Sequence, residues 1–376
     1  MTVITKPNLF NKQKLQIQIV KDFDKLQCHA DSWNRLAFEA TQQLPMSSYA
    51  WVSSYFEHYL QATESWICLF AYQGSELVGV MPLIVTPKYF LGFEFILLLT
   101  RNSTQSCSID ILAKKGLENI VIPTLIDAAK KSYSNLIGIR LERLPDNSPT
   151  IVVLENLPNV TLVKEFDSVG AYLKITDSFE QYRANLSSNF RSNLNKAAKK
   201  LHQLTGVKIS LLTKDNADVK FLSELIDVEV RSWKGSTGTA ICDSLADIFF
   251  YKSLTSRLLE AGLLEWHILE AEGKVIAINL AVRLKRVILV WKLAYDPNYS
   301  KCSPGSILME QVVKSACESD NIDEINLMTD HAWYDNWKMD KRDYYNIRLY
   351  PHTAISFLLG FLPMYIRQKL RKLKQK

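Results

Sequence analysis

The sequence predicts an α/β fold in which two similar units, each with a mixed central sheet, follow one another along 376 residues. Three observations predict it. A hairpin pattern occurs twice: Ile67 to Tyr72 joins Leu77 to Val80 across Gln73-Gly74, and His267 to Ala271 joins Val275 to Ile278 across Glu272-Gly273. Glycine in such a turn supplies the positive φ that tight hairpins require. In each second strand a small residue, Gly79 or Ala277, interrupts the apolar run. Each hairpin is then followed by further strand, helix and strand signals in the same order, which is the mark of an internal repeat. Finally, Val275 to Ile325 reads strand, strand, polar turn, helix, strand with no long gap.

The elements follow in chain order. After the first hairpin come a strand from Phe93 to Thr100, a helix from Leu117 to Ser132 and a strand from Ile137 to Arg143. Segment 178–204 has helical spacing, with Phe179, Tyr182, Leu186, Phe190, Leu194, Ala197 and Leu201 on one face and basic residues on the others. After the second hairpin come the strand Val287 to Tyr295, a polar turn from Asp296 to Gly305, a helix from about Ser306 to Ser319 and a strand from Glu324 to Asp330. The expected division is a first unit over 1–165, a second over 166–352, and an apolar-then-basic segment over 353–376.

Composition excludes several function classes. The six cysteines are scattered with no Cys-x-x-Cys pair, and the histidines form no ligand pattern with them, so neither a zinc site nor a disulfide framework is expected. No metal is expected. Residues Met1 to Asn8 hold no apolar core of signal-peptide length, and no apolar run is long enough to span a bilayer. A cytoplasmic protein is the expectation, with the inner face of the membrane as a second station. The net charge of +6 equals the six cations Arg367, Lys369, Arg371, Lys372, Lys374 and Lys376 of the last ten residues, leaving the rest neutral. A broad nucleic-acid face is therefore not expected. Segment 181–214 is locally basic and contains no carboxylate.

The turn that ends Ser303-Pro304-Gly305 and opens straight into a helix presents free N–H groups at the positive end of the helix dipole, an arrangement suited to phosphate or pyrophosphate. Its alternative is an ordinary Pro-Gly stop before a surface helix. Two further motifs accompany it. Glu229, Trp233, Lys234, Gly235, Gly238, Thr239 and Ala240 form a Glu…Trp-Lys-Gly-x-x-Gly-Thr-Ala segment, and Trp337-Lys338 follows the last helix-linked strand. With Tyr295, Asp296, Tyr299, Ser303, Pro304 and Gly305, this pattern resembles a bacterial subfamily of GNAT acyltransferases associated with cellulose and exopolysaccharide synthesis. The common GNAT phosphate signature itself is kept only at the final small residue, Gly305.

The resemblance implies a tandem GNAT (acyl-CoA N-acyltransferase) fold and acetyl-CoA or another acyl-CoA as co-substrate. It implies direct N- or O-transfer to a sugar, an amino-sugar nucleotide or a lipid-linked polysaccharide precursor. The first unit lacks the Pro-Gly turn and is read as shaping the acceptor groove. Transfer from a thioester needs a phosphate cradle, an oxyanion stabiliser, a base and an acid. The cradle is expected from backbone groups of Cys302, Ser303, Gly305, Ser306 and Ile307 with the charge of Lys301. Backbone groups of Lys292, Leu293, Ala294 and Tyr295 are expected at the thioester. Glu229 and Asp330 are candidate bases, each alternatively a partner of Lys234 or Lys338, and Tyr334 is the candidate acid. Trp233, Lys234, Trp337 and Lys338 are candidate acceptor contacts, the tryptophans alternatively core. Two other functions are open: a Fem-type aminoacyl-tRNA-dependent transferase, and a scaffold of polysaccharide synthesis that keeps the fold without the chemistry. Ile355 to Ile366, followed by the basic tail, is a candidate contact with a membrane surface.

Overall fold

The computed structural model describes residues 15–374, so Met1 to Asn8 and Lys376 lie outside the described residues. Its thirteen strands are β1 (Gln16–Val20), β2 (Ser65–Gln73), β3 (Glu76–Phe90), β4 (Phe93–Leu99), β5 (Leu112–Ala113), β6 (Leu136–Pro145), β7 (Val160–Lys174), β8 (Lys208–Leu212), β9 (Leu264–Ala271), β10 (Lys274–Leu284), β11 (Val287–Tyr295), β12 (Glu324–Asn326) and β13 (Asp340–Pro351). They form one mixed sheet in the order β1-β2-β3-β4-β6-β13-β7-β12-β11-β10-β9-β8, with β5 on β3.

Read inwards from either edge, the order repeats. Four antiparallel strands (β1–β4, or β8–β11) are followed by a parallel neighbour, β6 beside β4 and β12 beside β11. Parallel pairing needs a crossover, supplied by the helices Glu118–Lys131 and Pro304–Cys317, each 14 residues long. The two long strands β7 and β13 then pair antiparallel at the centre, from Asp340↔Tyr172 to Pro351↔Val160. The exchange is reciprocal: β13, from the end of the chain, borders β6, and β7 borders β12. It leaves no open edge between the halves.

The repeat extends to a detail. The β2–β3 register slips so that Val78 is extra, and the β9–β10 register slips so that Ile276 is extra. Each bulge directly precedes the small residue noted in the sequence. Gly79 is there because the crossover helix lies close: a Cβ would come within 2.2 Å of Val121 Cγ1. Ala277 shows that the second unit leaves room for a methyl.

The helices Tyr49–His58 and Leu245–Glu260 join the halves across the sheet. Arg257 donates to Ser54 Oγ (3.1 Å) and Glu57 (2.6 Å), His58 Nε2 lies 2.8 Å from Ser253 Oγ, and Tyr59 donates to Asp247. Around them Trp33, Trp51, Trp266, Phe250, Tyr251 and Tyr344 are fully buried, each such side chain stabilising the fold by about 1.5–3 kcal/mol.

Two boundaries differ from expectation. Segment 178–204 is two helices, Phe179–Asn185 and Ser188–Leu201, because Leu186 is extended (φ −66°, ψ 154°) and Ser187 caps the second helix through the Phe190 N–H. Its buried residues are Leu186, Leu194, Ala197 and Leu201, while Lys196, Lys199 and Lys200 face solvent. The strand expected to reach Asp330 ends at Asn326, whose Oδ1 accepts the Met328 N–H (2.8 Å) and turns the chain at φ 60°.

Asp110 anchors the long loop after β4. Its carboxylate accepts from Ser148 Oγ and Thr150 Oγ1 (both 2.6 Å) and from the Ile111 N–H (2.7 Å). Burial pushes its pKa up to about 6, against the pull of those hydrogen bonds. The folded carboxyl is then a weaker acid than the unfolded one. This contribution is present below pH ~4 and is lost as pH rises towards 6, a cost of about 3 kcal/mol. Asp110→Asn should remove that slope. Melting temperatures of the two proteins between pH 4 and 6 check it, and parallel curves would contradict it.

Candidate functional site

The polar turn after β11 is built by local hydrogen bonding. Asp296 accepts the Asn298 N–H (3.0 Å) and pairs with Arg231 (2.8 Å), and Pro297 starts a 3₁₀ turn through Cys302. Ser303 takes a left-handed conformation (φ 45°, ψ 54°), and the chain enters the helix at Pro304, which has no N–H to satisfy. Ser306 and Ile307 turn their N–H groups back to the Ser303 carbonyl (3.0 and 3.1 Å). The Gly305 N–H meets no protein acceptor among the described residues. The expected cradle therefore narrows to Gly305. Space above it is open, since an added Cβ would touch only Tyr295 Cδ1, at 3.6 Å. Lys301 is exposed beside it, and Cys302 is buried in an apolar cluster with Ile307 and Leu308.

Beside this helix start, β11 leaves its neighbour. It bonds to β12 only from Val287 to Leu289, so from Val290 to Tyr295 that edge carries no strand. Its other edge stays paired with β10, with Trp291 as an extra residue in the register. The first unit has no such splay. There β4 ends at Leu99, where its pairing with β6 ends, and the Glu118 carboxylate accepts the N–H of Gly116 (2.8 Å), two residues before the helix.

The Glu-Trp-Lys-Gly segment braces this edge. Glu229 is fully buried, pairs with Lys234 and accepts the Ile241 N–H (3.0 Å). Lys234 Nζ also donates to the Leu293 carbonyl (3.0 Å) on β11. Glycine is required at 235, where a Cβ would lie 2.1 Å from the Val230 carbonyl. Trp233 is exposed and has a free indole face.

A second group, missed in the sequence, lines the same strand from both halves. Trp291 donates to Tyr251 Oη (3.2 Å) and meets the edge of Trp51 at 5.0 Å. Trp51 donates to the Gln105 carbonyl (2.9 Å), Gln105 Nε2 donates to Asp247 (2.6 Å), and Asp247 also accepts from Tyr59. Lys292 Nζ lies 5.1 Å from the Tyr251 ring centre. Burial lowers the Lys292 pKa, Glu229 and Asp247 oppose that, and Lys234 adds to it. The sequence signals were faint: Trp51 lies in an aromatic segment, and Asp247 and Tyr251 sit one helical turn apart.

The remaining candidates fall elsewhere. Asp330 is an exposed partner of Lys341 (3.0 Å), not of Lys338. Tyr334 sits on a 3₁₀ turn, not on a helix, and is 2% exposed with its hydroxyl 3.0 Å from Thr329 Oγ1. Burial raises its pKa and keeps the phenol protonated. Trp337 is 1% exposed and packs edge-on against Phe190 at 5.1 Å, so its indole offers no face to an acceptor. Lys338 is exposed in a left-handed turn (φ 49°).

Residues 188–339 match the model of the acetyltransferase (GNAT) domain. This span holds the open helix start, the splayed strand and the Glu229–Lys234 brace; it is a GNAT acetyltransferase domain, and the protein is an acyltransferase. Solved structures share the fold. FemX superposes with a TM-score of 0.59 at 9% identity, over 87% of this chain and 96% of its own. The C-terminal domain of an Agrobacterium fabrum protein assigned as a lysylphosphatidylglycerol synthetase gives 0.54 at 8%, over 91% and 96%. A conserved protein of unknown function from Bacteroides thetaiotaomicron gives 0.53 at 12%, over 89% and 100%. No curated protein matches the chain in sequence.

Proposed function

We propose that the protein moves an acyl group from acyl-CoA directly to an amine or hydroxyl of a sugar, an amino-sugar nucleotide or a lipid-linked saccharide precursor. The observation that carries the donor is the open Gly305 N–H at a helix start beside the unpaired edge of β11. Gly305 and Lys301 would hold the pyrophosphate, and the backbone from Lys292 to Tyr295 would hold the pantetheine amides and the thioester carbonyl. Bound acyl-CoA supplies the activated thioester. Glu229 is a positioning residue, acting through Lys234 on the Leu293 carbonyl. Asp247 and Lys292 are the proposed proton acceptors for the acceptor group, and the leaving thiolate takes its proton from solvent. The exposed indole of Trp233 and the resemblance of residues 229–241 support a saccharide acceptor.

A Fem-type aminoacyl-tRNA reaction is the second reading, favoured by the fold shared with FemX and the solvent-facing Lys196, Lys199 and Lys200. A thermal-shift series with acetyl-CoA, longer acyl-CoAs and aminoacyl-tRNA separates the two. One acyl-CoA at a hundred times its Kd should stabilise the fold by about 2.7 kcal/mol. A response to aminoacyl-tRNA and to no CoA would replace the first reading by the second. Within the first, Asp247→Asn should lower turnover roughly tenfold or more with CoA affinity unchanged, while Asp330→Asn, on a surface ion pair, should leave it intact. Steady-state kinetics on both variants check this, and equal turnover would remove Asp247 from the chemistry.

A further inference from the structure

One end of the sheet carries two apolar projections that the fold does not cover. The β3–β4 hairpin ends in Tyr89, Phe90, Leu91 and Phe93, all exposed, with Leu91 at 81%. The second projection is the short helical turn Ser356–Phe361, where Phe357 and Leu358 are half exposed. The two lie at the same end. Asn135 Nδ2 donates to the Glu94 carbonyl beside the hairpin tip (2.9 Å), and two residues on, the Ile137 carbonyl accepts from Ser356 Oγ (2.9 Å). Gly360 packs on that same carbonyl so closely that a Cβ would lie 2.2 Å from it.

Cations follow the second projection along the chain. The helix Leu362–Lys374 continues from the second projection with Arg367 and Lys369 exposed, and Lys131 ends the crossover helix just before β6. From Thr353 to Lys376 the sequence contains no acid. Two carboxylates lie beside these elements: Glu94, next to the hairpin tip, accepts from Tyr89 Oη (3.1 Å), and Glu165 accepts from Gln368 of the C-terminal helix and pairs with Arg348 (2.6 Å). No helix among the described residues is long and apolar enough to cross a membrane.

We infer that this end of the molecule docks on an anionic lipid bilayer. The hairpin tip and Phe357–Leu358 enter the headgroup boundary, and the cations of the C-terminal segment pair with lipid phosphates. Aromatic and leucine side chains beside lysine and arginine match such an interface, where one side of the surface is apolar and the other carries negative charge. A protein partner, or a second copy of this chain, would cover the apolar tips without requiring an acid-free segment beside them.

Co-sedimentation of the full-length protein with vesicles of phosphatidylcholine, with and without one-third phosphatidylglycerol, tests this. Binding is expected to the anionic vesicles and to fall at least tenfold in 0.5 M NaCl. Phe90→Ser/Phe93→Ser and Arg367→Gln/Lys369→Gln, all at exposed positions, should each weaken binding several-fold with the melting temperature unchanged. Binding that ignores both pairs of substitutions would overturn the inference. So would equal recovery with neutral vesicles, or concentration-dependent dimerisation without lipid that the hairpin substitutions abolish.

Discussion

Gly305→Asp should weaken CoA binding on the order of 100-fold, about 2.7 kcal/mol, while the protein melts at its usual temperature. The site explains both halves of the result. An added side chain has room, because its Cβ meets nothing nearer than Tyr295 Cδ1 at 3.6 Å. Its carboxylate then occupies the helix start and supplies an internal anion where a pyrophosphate would approach, so attraction becomes repulsion. Gly305→Ala is the control and should cost much less. Isothermal titration with CoA measures both, and unchanged affinity in a folded Gly305→Asp protein would remove the cradle.

Glu229→Ala should destabilise the fold by about 3–5 kcal/mol, the usual effect of removing one partner of a buried ion pair. At roughly 2 °C per kcal/mol for a long chain, the melting temperature should fall by about 6–10 °C. The loss leaves the largely buried Lys234 ammonium without its carboxylate and the Ile241 N–H without its acceptor. Adding Lys234→Met should recover part of the loss, because the orphaned charge goes with it. A Glu229→Ala protein as stable as the parent would show that the brace is not formed.

Local patterns that bury themselves were legible in the sequence. The two Gly turns and the Pro-Gly helix start depend on neighbours a few residues away, and each took its expected place; the small residues at 79 and 277 were legible only as breaks in apolar strands, since the reason for Gly79 is Val121 on the crossover helix. The exchange of β7 and β13 was not legible. Both are amphipathic strands, and nothing in their alternation says which unit they border. The site divided in the same way. Gly305 and the edge from Lys292 to Tyr295 follow from chain order. The contact of Trp51 with Trp291 on β11, and the bond from Gln105 to Asp247, each join residues more than 140 positions apart. Glu229 was singled out as a candidate base because a carboxylate in a motif suggests chemistry. The alternative reading, a partner of Lys234, is the pairing the structure forms, with Glu229 completely buried.

The central claim is that acyl-CoA lies on the second unit, between the start of the Pro304–Cys317 helix and the free edge of β11. Amide hydrogen exchange with and without a saturating acyl-CoA tests it most directly. The account predicts slower exchange in peptides covering Trp291 to Tyr295 and Ser303 to Ile307, with Gly116 to Ile120 unchanged. Protection at Gly116 to Ile120, or none at Ser303 to Ile307 under conditions where the ligand is bound, would contradict it.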